Sequence, residues 1–112
     1  MKKFNVTFIK RTLIQKNYRI IQKDGREIGC LSVEEHSGKY TLNIIEIAPE
    51  YQNKGIGRML IRDLINKVLQ EKKDVELQVL QVNHKAFRLY RSLEFILKSE
   101  TDTHYQMVYH SR

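Results

Sequence analysis

The chain holds one cysteine, Cys30, one proline, Pro49, and no tryptophan in 112 residues. A single cysteine excludes an internal disulfide and a cysteine-based zinc site, and it suits a reducing, cytoplasmic setting. Lying in a β-rich run, Cys30 is expected to be a small core residue. No apolar run approaches the roughly 18 residues of a membrane span, so no membrane partner is expected. The opening "MKKFNVTFIK" alternates polar and apolar residues. It lacks the apolar centre and small-residue cleavage site of a leader peptide, and reads as a strand. Internal repeats, low-complexity tracts and linkers are also missing. Residues 1–112 therefore read as one domain, long enough for a single core and too short for two.

What the chain does have is positive charge. The formal net charge is +7, with 41% hydrophobic and 29% charged residues. Residues 1–40 hold nine Lys and Arg against four Asp and Glu, so the excess is concentrated at the front. Such a balance favours an anionic partner: a nucleic acid, an acidic surface or a phosphorylated cofactor, although a basic soluble surface would look the same. A nucleic-acid binder would interleave aromatic and basic residues on one exposed face. No such element is evident, and no nucleic-acid partner is expected.

Periodicity gives the elements. "FNVTFI" alternates with period two and reads as a strand. "YRIIQKDGREIGCLSVEE" is two β-rich runs around Asp24–Gly25, a strong hairpin signal. Ser37–Gly38 marks a second turn, after which "YTLNIIEI" is a strand ended by Pro49, which cannot donate to a ladder. Across 56–71, Leu60, Ile61, Leu64, Ile65, Val68 and Leu69 recur at the spacing of one helical face. "DVELQVLQV" (74–82) carries apolar residues at both parities and reads as a strand covered on both sides. A short helix over 83–93 follows, with Asn83 as N-cap, and two strands finish the chain. The pattern is α/β: an antiparallel meander followed by strand–helix–strand–helix–strand–strand in a mixed sheet.

The start of the 56–71 helix is unusual. Helices favour capping side chains and acidic residues at their positive ends, yet "YQNKGIGRMLIRD" supplies two glycines, Lys54 and Arg58, and no acid before Asp63. A strand leading through a glycine turn into a helix is a general phosphate holder, and cations belong there if an anion is the true neighbour. Gly55 and Gly57 could equally make only a tight turn. The GxxxxGK[ST] nucleotide loop is absent, and Leu60 stands where a dinucleotide fingerprint needs its third glycine.

These residues carry a resemblance. "PEYQNKGIGRMLI" resembles the acetyl-CoA signature of the GNAT N-acetyltransferase superfamily, Q/R-x-x-G-x-G/A, filled by Gln52, Gly55 and Gly57. "LQVLQVNHKAFRLYRSLEF" resembles the family's second block, with its Asn-x-x-Ala-x-x-Leu-Tyr helix. The match runs from about Tyr18 to Tyr109. It implies a central mixed, splayed β-sheet with flanking helices, open between the strands at 42–47 and 75–82 to admit the cofactor arm. It implies acetyl-CoA as co-substrate, no metal, and an amine acceptor. Ile47 would pair with the pantetheine arm through its backbone. The turn of Gln52, Asn53, Lys54, Gly55, Ile56, Gly57 and Arg58 would hold the pyrophosphate. Asn83 would meet the pantetheine, or act as a plain N-cap. Tyr90 would protonate the leaving thiolate, or pack as a core aromatic with Phe87.

The chain departs from the family in three places. Ile44 occupies the position where relatives often carry a glutamate, so Glu46, on the same strand face, is the substitute candidate for the base. It could instead be a charged edge of the cleft, with ordered water activating the amine. Glu94 replaces the usual glycine before Phe95. At the front, only "KRTLIQK" fills the place of two helices, so either the N-terminal helices are reduced or absent, with room for a short helix at 10–16 at most, or the acceptor site is completed by another subunit. Uncovered sheet surface would favour a homodimer. The activity implied is acetyl transfer from acetyl-CoA to a primary amine of a small molecule, peptide or protein. The alternative is an acyl-CoA-binding regulatory module without turnover.

Overall fold

The turns explain the first half of the fold. Asp24 and Gly25 have φ of 53° and 80°, and Ser37 and Gly38 of 52° and 79°. Two successive positive-φ residues match the right-handed twist of the strands on either side, so each pair closes a tight hairpin. The computed structural model describes residues 6–12 and 17–111. Strands β1 (Val6–Thr12), β2 (Asn17–Lys23), β3 (Arg26–His36) and β4 (Lys39–Ile47) form an antiparallel meander. A single 3-10 turn, Pro49–Tyr51, leads into helix α1 (Ile56–Glu71), followed by β5 (Asp74–Leu80), α2 (His84–Ser92), β6 (Ile96–Glu100) and β7 (His104–Tyr109). The seven strands form one mixed sheet in the order β1-β2-β3-β4-β5-β7-β6, in which only β4 and β5 are parallel.

That parallel pair positions the site. β4 and β5 are paired only from Lys39↔Asp74 to Leu42↔Leu77, and beyond Leu42 they separate. A bulge lies at the same point, since Ser32 pairs with Ile44 and Val33 with Leu42, which leaves Asn43 over. A bulge bends its strand and shifts the side-chain alternation by one. Tyr40 and Leu42 therefore share the core with Ile45, and Ile45 and Ile47 join a second cluster further along. The splay expected between 42–47 and 75–82 is present.

Both helices pack on one face of the sheet. Ile61, Ile65 and Val68 of α1 and Tyr90 of α2 enclose Val75, Leu77 and Val79 of β5 in the main core. A smaller cluster joins Ile21 and Ile28 to Ile56 and Leu60 at the start of α1. Two expectations need correction. β5 ends at Leu80, which is 47% exposed, and Val82 beyond it is 78% exposed. Its other face carries Glu76 and Gln78, so β5 is covered on one side only. The short helix allowed at 10–16 is also not borne out where described, because residues 10–12 continue β1, while 13–16 lie outside the described residues. No helix among the described residues is long and apolar enough to cross a membrane.

Candidate active site

The cleft begins at the uncapped end of α1. Gly55, the residue before the helix, sits at φ 86°, and no side chain caps it. Met59 N–H bonds to the Gly55 carbonyl at 3.0 Å, so the N–H groups of Ile56, Gly57 and Arg58 stand outside the intrahelical ladder. The first turn holds no acid to compensate them. A Cβ built on Gly57 would meet nothing within 4 Å. The fold itself therefore does not require a glycine there, and the free space belongs to the cleft that Gly57 lines.

This cleft has a volume of about 610 Å³ and lies along the part of β4 that no longer pairs with β5. Its floor is apolar, built from Ile45 and Ile47 of β4 and Ile56 and Ile61 of α1. One wall is the Gln52–Arg58 turn; the other is α2, which presents Lys85, Arg88 and Ser92 together with Ala86, Leu89 and Tyr90. Among the described residues the lining includes three cations, Arg58, Lys85 and Arg88, and no acidic or histidine side chain. An anionic ligand with an apolar arm fits this chemistry. Among the described residues no group of His, Cys, Asp and Glu could hold a metal ion.

Residues 15–97 match the family model described as "Acetyltransferase (GNAT) domain". The chain belongs to the GNAT acetyltransferase family. A comparison with curated proteins gave no match. Among solved structures, it is similar to a GNAT family acetyltransferase from Elizabethkingia anophelis with acetyl-CoA bound, at 14% identity and a TM-score of 0.78, covering 97% of this chain and 99% of that one. It is also similar to the PaiA N-acetyltransferase from Thermoplasma acidophilum in complex with coenzyme A, at 20% identity and 0.75, covering 83% and 59%. A third is the ribosomal-protein-S18-alanine N-acetyltransferase from Escherichia coli, at 23% identity and 0.68, covering 87% and 68%. At these identities the solved structures speak for the GNAT fold.

Within this GNAT fold the expected residues separate into two groups. Ile47, Gln52, Asn53, Gly55, Ile56, Gly57, Arg58, Asn83 and Tyr90 all line the cleft. Gln52 also donates from Nε2 to the Ile47 carbonyl at 2.8 Å, which ties the turn to the end of β4. Asn83 Oδ1 accepts from Ala86 N–H at 3.1 Å, so it caps α2 and faces the cleft together. Tyr90 is 7% exposed, with its ring 5.7 Å from that of Phe95, and burial pushes its phenol above the ordinary value near 10.

Lys54 and Glu46 do not line the cleft. The Lys54 ammonium lies over the Tyr51 ring, 5.9 Å from its centroid. Glu46 is exposed and projects from β4 to the side opposite Ile45 and Ile47, beside Cys30 on β3. Cys30 is not the core residue expected but half-buried on that face. Burial, and then the Glu46 charge, raise its thiol above the ordinary value, so it stays protonated and a poor nucleophile. Sequence reasoning missed Tyr51 and the α2 stripe of Lys85, Arg88 and Ser92. The spacing i, i+3, i+7 held the signal, since it places the three on one helical face.

Proposed function

We propose that this GNAT protein transfers the acetyl group of acetyl-CoA directly to a primary amine of a small molecule, peptide or protein, with no acyl-enzyme. One observation carries the reading: the uncapped start of α1, the open edge of β4 and Tyr90 meet in a single cleft. The N–H groups of Ile56, Gly57 and Arg58, with the Arg58 guanidinium, hold the pyrophosphate. The edge of β4 beyond Leu42 has no strand partner on the β5 side, so its backbone is available to the pantetheine arm and to the thioester oxygen. The Elizabethkingia protein, almost wholly covered by this chain, was solved with acetyl-CoA bound. That supports cofactor binding by a compact chain.

As the amide C–N bond forms and the C–S bond breaks, Tyr90 gives its proton to the departing thiolate. Burial favours the protonated phenol, so the acid is in the right form at neutral pH. The amine's own proton leaves to Glu46 or to water. If Glu46 is the base, it acts from the side of β4 opposite the cleft lining. A second reading, acyl-CoA binding without turnover, is favoured by the absence of any carboxylate or imidazole in the cleft lining.

Titration calorimetry with acetyl-CoA, followed by thiol release across a panel of amines, tests both. Amine-dependent release of CoA is the expected result. Binding without release by any amine would favour the regulatory reading, and no binding would reject both.

A further inference from the structure

The cleft carries more positive charge than a pyrophosphate explains. Outside the cleft some cations are paired, Lys39 and Lys98 with Glu76, Lys73 with Glu35 and Glu71, and Lys23 with Asp24, while others on the open surface, such as Arg62 and Arg91, pair with no described residue. Lys85 and Arg88 make no ion pair with any described residue, and no acid lines the cleft beside them. α2 has no acidic residue in its first turn, and its cap oxygen is already engaged with Ala86. Two cations therefore stand near the positive end of a helix with no acid among the described residues paired to them. Three residues apart on a helix, they project side by side, at a separation that one phosphate group can bridge.

We infer that Lys85 and Arg88 bind the 3′-phosphate of coenzyme A and make the protein selective for CoA over 3′-dephospho-CoA. This rests on the acetyl-CoA reading above. The diphosphate is met on the α1 wall by backbone N–H groups and Arg58. The pantetheine arm is uncharged, so the sugar phosphate is the one anionic group of the cofactor left for the facing wall. A phosphomonoester carries about −1.5 to −2 charges at neutral pH, which two cations neutralise. The guanidinium adds a planar fork suited to phosphate oxygens, and the ammonium acts as a point charge. Both side chains are exposed, so the contact is screened by salt and discriminates modestly.

Calorimetry at low ionic strength, with CoA and with 3′-dephospho-CoA as probes, tests this on wild type and on the Lys85→Gln/Arg88→Gln double variant. Wild type is expected to bind CoA about tenfold more tightly than the dephospho form. The double variant should bind both alike, with the affinity that wild type shows for dephospho-CoA, and raising salt should narrow the wild-type difference. A double variant that keeps the preference would overturn the assignment. So would a wild type that binds the two forms equally, which leaves the acetyl-CoA reading standing. A wild type that binds neither rejects that reading and this one with it. A double variant altered only in the KM of an acidic acceptor would reassign the pair to acceptor recognition.

Discussion

Tyr90 answers to two demands, since its ring packs against Phe95 in the main core while the residue lines the cleft. Tyr90→Phe keeps the ring and removes the hydroxyl alone. Acetyl-CoA binding should persist while turnover falls roughly 10²–10⁴-fold, the usual range for a positioned acid. Because burial raises this phenol, the acid is lost only above its ordinary value near 10, and the wild-type rate should not decline between pH 7 and 9 for this reason. Unchanged turnover in Tyr90→Phe would leave the tyrosine as a packing residue. Glu46 is separable by pH. If it takes the amine's proton, Glu46→Gln should lower the rate most at neutral pH, with the deficit closing as alkali deprotonates the free amine; a deficit constant with pH rejects the base role. Gly57 offers a sharper division between fold and ligand. Gly57→Ala fits the empty space and should stabilise α1 by roughly 0.5 kcal/mol, yet it places a methyl where the backbone meets the cofactor. We expect a melting temperature that is unchanged or higher together with weaker acetyl-CoA binding. Gly57→Glu, which adds negative charge, should abolish binding.

At the scale of elements, the least legible residue was Gly29. In the sequence it is one glycine in a β-rich run, with nothing to mark it. In the fold it pairs with Ile47 at the end of β4, and a Cβ there would run into the Glu46 carbonyl. Gly29→Ala must push β3 and β4 apart where the cleft floor ends. It should cost about 1–3 kcal/mol, as other overpacked sites do, and weaken acetyl-CoA binding although it touches no ligand. A variant with wild-type melting and affinity would show that β4 yields freely. Close approach of two backbones has no local signature, which is why sequence reading passed over it. The hairpin turns and α1 were legible for the opposite reason, since Asp24–Gly25, Ser37–Gly38 and the stripe from Leu60 to Val68 act through neighbours in the chain. The splay came from resemblance rather than from periodicity. β5 misled because Leu80 and Val82 raise its apolar count past the point where the strand is covered. Residues of α2 hid behind a good cap, and the wall they form exists only once β4 and β5 part.

At the scale of the whole molecule, both helices among the described residues cover the same sheet face. We propose a homodimer, now placed on the edge strand β6. It ends the strand order, all five of its residues are exposed, and Ile96 and Leu97 are 51% and 45% exposed. Unpaired edges recruit other strands, and sedimentation that finds only monomer at high concentration would remove the proposal. The other face adds charge pairing to apolar burial, since Val108, the cross-strand partner of Glu76, is 3% exposed. Glu76 bridges three strands there, accepting from Lys98 Nζ at 2.7 Å and pairing with Lys39 Nζ at 3.1 Å. Its side chain is 12% exposed. The hydrogen bond from Lys98, then that from Lys39, hold its carboxyl below the ordinary value of 4.5, although partial burial opposes them. A carboxyl depressed in the folded state contributes stability that is fully present above its unfolded value and is lost as pH falls through its folded value. Melting temperature should therefore be flat near neutrality and fall once pH drops below about 4.5. Glu76→Gln should lose about 1–3 kcal/mol at pH 7, a drop of several degrees or more, and then show a shallower acid limb than wild type. High salt should reproduce part of that loss, because Lys39 and Lys98 are 41% and 46% exposed and their charges are screened. An acid limb identical in wild type and Glu76→Gln would place the acid sensitivity elsewhere, with Glu71 next in line through its bonds from Tyr40 and Lys73.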